Sequence, residues 1–157
     1  MTEAVRRFER LAELQVLVGQ TLGSSAWLVV EQDRIDRFGQ ATGDLQWIHV
    51  DPQRAAAGPF GSTIAHGFLT LALLPEMSAG AYEVADAQMG VNYGLNRVRF
   101  PAPVPVGSRL RGHFKLIDYT PLDGGAQLTI EVSMERDGTA KPVCVAESIV
   151  RHFTRLA

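Results

Sequence analysis

The stretch Ile64-Ala65-His66-Gly67-Phe68-Leu69-Thr70-Leu71-Ala72-Leu73-Leu74 constrains this chain more than any other. It is apolar on nearly every side of a helical wheel. A helix that is apolar all round has to be surrounded by other structure. The spacing predicts a central buried helix over about 63–79, with Ser62 as its N-cap, Pro75 kinking or ending it, and Gly80 beyond.

The rest of the chain has to supply the surroundings. After residue 88 the hydrophobic period changes to two. Gln88 to Phe100 reads as a strand and stops at Pro101-Ala102-Pro103-Val104-Pro105, which cannot lie in a central ladder. Leu110, Gly112, Phe114 and Leu116 alternate with Arg109, Arg111, His113 and Lys115. Ala126, Leu128, Ile130, Val132 and Met134 alternate with polar partners, and Asp123-Gly124-Gly125 turns between the two runs. Asp137-Gly138 then leads into a last strand, Pro142 to Phe153, apolar on both faces until Glu147 and so more central. Before the buried helix, residues 3–18 read as an amphipathic helix on Val5, Phe8, Leu11 and Leu14 or Leu17. Ser25 to Val30 reads as a first strand, Gln32 to Thr42 as a helix closed by Gly43, and Asp51-Pro52 as the cap and first turn of a short helix through Ala57. The class is α+β, and an antiparallel sheet wrapped around an apolar helix is the description of a hot-dog fold.

Length and composition limit what such a chain can be. With 157 residues, 46% of them hydrophobic, residues 1–157 are expected to form a single domain. A net charge of −2 gives no global attraction to nucleic acid or anionic membrane. No apolar run approaches the ~20 residues that span a bilayer. Met1 to Glu13 lacks a signal peptide's hydrophobic core. The one cysteine, Cys144, excludes an internal disulfide and a cysteine metal cluster, and its apolar strand makes it core. A cytoplasmic location is the expectation.

Chemistry concentrates in Ala41-Thr42-Gly43-Asp44-Leu45-Gln46-Trp47-Ile48-His49-Val50-Asp51. A helix advances ~100° per residue, so five helical steps would splay Asp44 and His49 apart. A shaped loop can bring them together as an acid–base pair. Either residue alone reads equally as a turn cap or a satisfied loop histidine; the pair in this context reads as functional. His66 reads as structural, pinning the loop. His49, Asp51 and His66 lack a recognised metal-ligand spacing, so no metal is expected. Ser62 lacks a nucleophile elbow. His113, Arg109, Arg111 and Lys115 read as a solvated face or an oligomer rim.

Gly43-Asp44, Ile48-His49-Val50-Asp51 and then His66-Gly67 opening an apolar helix resemble the MaoC-like (R)-specific enoyl-CoA hydratases, over roughly residues 8–153. Their motif runs Gly-Asp-any-Asn-Pro-aliphatic-His-any-Asp. Gln46 and Trp47 stand here for the Asn and Pro. That variant, with Gly58-Pro59-Phe60-Gly61 after it, looks like the nodulation-protein-N-like branch. The resemblance implies reversible syn hydration of a trans-2-enoyl-CoA to a (3R)-3-hydroxyacyl-CoA, without a cofactor. Asp44 and His49 would activate water, and the Gly67 N–H would hold the thioester oxygen. Gln46 would help position these groups. The CoA arm would run through a tunnel at a homodimer interface, past Ile64, Ala65 and His66, past Val91, Asn92 and Tyr93, and past Pro101, Ala102 and Pro103. Arg97 or Arg99 would meet its phosphates. Two alternatives stay open. A hot-dog acyl-CoA thioesterase would release free CoA from saturated acyl-CoA. A non-catalytic acyl-CoA-binding or partner subunit would bind without turnover.

Overall fold

The computed structural model describes residues 4–155. Its strands are β1 (Arg6–Phe8), β2 (Thr21–Ser24), β3 (Leu28–Val30), β4 (Tyr82–Val84), β5 (Met89–Arg99), β6 (Ser108–Leu122), β7 (Gly125–Arg136) and β8 (Cys144–Phe153). Its helices are α1 (Gln32–Thr42), α2 (Trp47–Val50), α3 (Pro52–Ala56), α4 (Gly67–Ala72) and α5 (Leu74–Ala79). A six-stranded antiparallel sheet runs in the order β2-β6-β7-β8-β5, with β3 also pairing with β6. The sheet wraps α4 and α5, which is the hot-dog arrangement that the alternation and the apolar run require.

The alternating residues do what their period demands. Leu110, Phe114 and Leu116 on β6 and Ala126, Leu128, Ile130, Val132 and Met134 on β7 are buried together with Leu69, Leu73 and Met77 from the two helices. Both hairpin turns form, with Gly124 and Gly138 in the left-handed region. β8 lies between β7 and β5 and is therefore internal, whereas β5 is an edge. Cys144 is fully buried, and burial pushes its thiol up to about 11.

Four local expectations are corrected. Residues 3–18 do not form an α-helix, and Glu3 lies outside the described residues. Arg6–Phe8 pairs in parallel with β4, and Leu11–Leu17 is a 3₁₀ helix with Leu11 and Leu14 buried. The spacing of Phe8, Leu11, Leu14 and Leu17 is three, which is the period of a 3₁₀ turn rather than of an α-helix. The first strand is only Leu28–Val30, and β2 precedes it; between them the Ser25 hydroxyl accepts from the Gly112 N–H and carries the chain along β6. The central helix begins at Gly67 instead of 63, with His66 as N-cap. Residues 63–65 are extended against 104–106, where Ala65 N–H donates to the Val104 carbonyl (2.8 Å) and Val106 N–H to that of Thr63 (2.9 Å). Ser62 caps nothing there; its hydroxyl donates to the Thr63 carbonyl. Pro75 divides the remainder into α4 and α5.

The fourth correction concerns burial. The apolar helix is not enclosed on all sides. Phe68 is 71% exposed, and Phe100, Val91, Tyr93 and Leu95 are exposed with it. This apolar face lies on and beside the edge strand β5. On the outer face of the sheet, His113 and Arg111 are tied rather than freely solvated. His113 bonds Ser24 Oγ through Nδ1 (2.8 Å) and Glu135 through Nε2. Arg111 pairs with Glu135 and covers Trp27. Among the described residues no helix is long and apolar enough to cross a membrane.

Candidate active site

The loop after α1 is set by Gly43, which closes the helix in the left-handed conformation (φ 78°) and donates to the Gly39 carbonyl. Asp44 follows, exposed. Gln46 is the N-cap of α2, and its N–H reaches Asp44 Oδ1 at 3.4 Å. One turn of helix then carries His49 inward. The expected loop therefore contains a short helix, and Asp44 meets His49 because it precedes the turn. Asp51 caps α3 by accepting from the Arg54 N–H (2.9 Å), as its Asp-Pro context predicts. Trp47 stands at the first position of α2, where proline would be favoured. Its ring packs on Gly58, where a Cβ would come within 2.9 Å, and Arg54 covers it at 4.5 Å.

His49 is 6% exposed. Its Nδ1 lies 2.7 Å from the Ile64 carbonyl. A carbonyl only accepts, so Nδ1 carries the proton and Nε2 keeps a lone pair. Burial pushes the His49 pKa down, the Ile64 bond opposes that, the neighbouring His66 lowers it further and Asp44 raises it. His66 is 2% exposed; its Nε2 donates to the backbone carbonyl of Asp44 (2.9 Å), pinning the loop as expected. Its Nδ1 is buried without a partner. The two imidazoles stack at 3.9 Å and 25°, and the Phe38 ring lies tilted 5.0 Å from that of His66.

An Asp44 carboxylate oxygen and one ring nitrogen each from His49 and His66 lie within 4.8 Å of one another. The set does not suit a metal ion. Imidazole lone pairs lie in the ring plane, and two stacked rings cannot aim them at one point ~2 Å from both. The arrangement suits a water molecule held between a carboxylate and a neutral imidazole.

A groove of about 360 Å³ opens beside His49, lined also by Ile64, Ala65, Gly67, Pro101, Ala102 and Pro103. These expected residues thus come together. Gly67 is the first residue of α4 and its N–H has no partner among the described residues. The space over its Cα is filled by the Phe100 ring, 2.9 Å from where a Cβ would sit. Val91, Asn92 and Tyr93 are elsewhere: Asn92 and Tyr93 line a hollow between β5 and α4 with Leu71 and Ala72. Arg97 and Arg99 are exposed on β5, and the Gln46 side chain makes no hydrogen bond among the described residues. Gln32 also belongs to the site. Its Nε2 donates to the His49 carbonyl (2.7 Å) and its Oε1 accepts from Thr63 Oγ1, which ties α1 to both halves of the site. No spacing in the sequence signals it.

Residues 13–137 match the family model described as "MaoC like domain". The chain is 54% identical over 149 residues to 3-hydroxyacyl-thioester dehydratase Z of Mycobacterium tuberculosis, covering 94% of this chain and 99% of that protein. It is 48% identical over 143 residues to nodulation protein N of Rhizobium leguminosarum bv. viciae, covering 88% of each. Its fold is similar to that of the unliganded R-hydratase PhaJ1 from Pseudomonas aeruginosa, with a TM-score of 0.74 at 22% identity over 91% of this chain and 84% of that one.

Proposed function

Since the chain belongs to the MaoC-like dehydratase family, we propose that it hydrates a trans-2-enoyl-CoA reversibly, by syn addition, to a (3R)-3-hydroxyacyl-CoA. The observation that carries this reading is the convergence of the Asp44 carboxylate on the neutral His49 beside a groove. Water is too weak a nucleophile to attack C3 unaided. Asp44 and His49 Nε2 hold it and remove its proton as the new C3–O bond forms. The C2–C3 π pair becomes the C1–C2 bond of an enolate as the carbonyl π pair moves onto the thioester oxygen, which the Gly67 N–H stabilises. When the enolate collapses, the pair returns the proton to C2 from the same face, so the addition is syn. One such N–H donor is typically worth ~3 kcal/mol of barrier. The 54% identity to a protein named as a 3-hydroxyacyl-thioester dehydratase supports the same chemistry read in reverse.

A homodimer completes the reading. The exposed face of Phe68, Tyr93, Leu95 and Phe100 adjoins an unpaired sheet edge, and both are hidden if a second copy docks there. The CoA arm would then pass between copies, with Arg97 or Arg99 near its phosphates.

The test is the loss of enoyl absorbance when the protein meets trans-2-enoyl-CoAs, with the product's configuration determined. A (3R)-3-hydroxyacyl product supports the reading. Free CoA released from saturated acyl-CoA would replace it with the thioesterase. Binding with no turnover would replace it with the non-catalytic subunit.

A further inference from the structure

The concave face of the sheet breaks its own pattern at one place. The inward column of β8 runs Cys144, Ala146, Ser148, Val150, His152, and an enclosed face calls for apolar residues throughout. Ser148 and His152 violate it, and Asn92, paired with Val150 across the β5–β8 ladder, adds a third polar group. These three border a slot of about 280 Å³ between α5 and the sheet, whose walls are otherwise largely apolar, among them Leu74, Phe114 and Ile130. A second hollow of about 370 Å³ shares Leu74, Pro75, Asn92 and Ser148 with it and reaches Tyr93 and Leu95 on the edge strand. Together they extend from the edge strand β5 to His152.

The polar groups here are unspent. No side-chain hydrogen bond joins Ser148, Asn92 or His152 to any described residue, although Ser148 is only 6% exposed. The Ser148 hydroxyl opens onto the slot without a protein partner, so an occupant of the slot would complete it. The His152 ring lies against Gly90, where a Cβ would come within 3.3 Å. Burial pushes the His152 pKa down, so at neutral pH the ring offers one donor and one acceptor and no charge. No lysine or arginine lines either hollow, so a carboxylate entering would lose its water and find no cation.

We propose that this channel takes the tail of the acyl group and selects tails bearing an uncharged oxygen, a hydroxyl or keto group that hydrogen-bonds to His152, Ser148 or Asn92. The proposal rests on the reading of the substrate as an enoyl thioester.

The experiment compares kcat/KM for enoyl-CoAs of equal length. One series is unsubstituted, one carries a hydroxyl or keto group at successive carbons beyond the enoyl unit, and one ends in a carboxylate. At the carbon that reaches the polar column, the oxygenated substrate should be preferred by about tenfold, the worth of one buried hydrogen bond, with the carboxylate disfavoured. In His152→Leu and Ser148→Ala that ratio should fall toward one. A wild-type protein that hydrates the plain tail as well as every oxygenated one overturns the proposal and leaves the hydratase reading standing. A preference that survives both substitutions also overturns it. If no enoyl-CoA of any kind is hydrated, the underlying reading falls, and the proposal with it. The wild-type ratio decides even where a variant does not fold.

Discussion

His49 and His66 lie face to face, with ring centroids 3.9 Å apart, and each ring is anchored on the strand of chain that carries the other. His49 Nδ1 donates to the Ile64 carbonyl, and His66 Nε2 donates to the Asp44 carbonyl. The Ile64 N–H adds a third tie, to the Ile48 carbonyl at 3.0 Å. The loop after α1 and the approach to α4 are thereby laced together, and the position of the Asp44 carboxylate depends on a residue that itself removes no proton.

In the proposed mechanism His66 would be a positioning residue, through its bond to the Asp44 carbonyl. His66→Phe keeps an aromatic ring against His49 and loses the donor to Asp44. It should cost about 1–2 kcal/mol in urea unfolding and lower kcat by about ten- to a hundredfold. His66→Asn, which can restore a donor, should recover part of the rate. Unchanged kcat in His66→Phe would show that the lacing does not position Asp44.

Acid sensitivity follows from burial. In the proposed mechanism His49 has to be neutral to take a proton, and burial sets its pKa below the ordinary 6.5. The acid limb of kcat/KM should therefore lie below pH 6.5. Stability should fall over the same range. His49 and His152 are both held neutral in the fold, so the unfolded chain binds protons first as pH drops through 6.5, and stability is lost from there down through the folded values. Glu135 acts in the same direction at lower pH. Burial pulls its pKa up, but the His113 hydrogen bond and the Arg111 charge outweigh that, and the stability it adds is lost as it protonates below 4.5. Chemical denaturation across pH 4 to 8 reads this, and a flat profile would contradict it.

Gly67 leaves room for a ring. Gly67→Ala would place a methyl 2.9 Å from Phe100 and should destabilise the protein by about 1–3 kcal/mol. Adding Phe100→Ala should show a coupling of about 0.5 kcal/mol or more in a double-mutant cycle. Strict additivity would mean that the contact is not what Gly67 serves.

Phe68 tests the dimer. The protein should sediment as a dimer, and Phe68→Glu should shift it to monomer at micromolar concentration, since burying a Phe side chain is worth roughly 2–3 kcal/mol per subunit and a buried unpaired carboxylate reverses the sign. A wild-type monomer would remove the face from the account.

What the sequence disclosed follows from what is local. The alternations on β6 and β7, the Asp51-Pro52 cap and the Gly43 stop each depend on neighbours a few residues away, and each was legible. The 3₁₀ segment was misread because a period of three looks helical when only four apolar residues are available to count. β1 and β4 were missed because they pair only with each other, far apart in the chain. The start of α4 was placed too early because the apolar run reaches back to Ile64, although β-branched Thr63 and Ile64 suit the extended pairing of 63–65 with 104–106. In the proposed site, the approach of Asp44 to His49 rests on residues five apart in one motif. Gln32 and Phe100 were not legible, because they reach the site only through the folding of distant segments. The exposure of Phe68 was hidden for a related reason: an apolar wheel does not distinguish a core face from an exposed apolar one.

The most direct measurement is the initial rate of trans-2-enoyl-CoA hydration by wild type, Asp44→Asn and His49→Gln, each confirmed folded by circular dichroism. Wild type should be active, and each variant should lose about 10² to 10⁴ of kcat, the usual worth of a positioned acid–base group. A folded Asp44→Asn or His49→Gln protein with rates close to wild type would contradict the assignment of this pair as the groups that activate water.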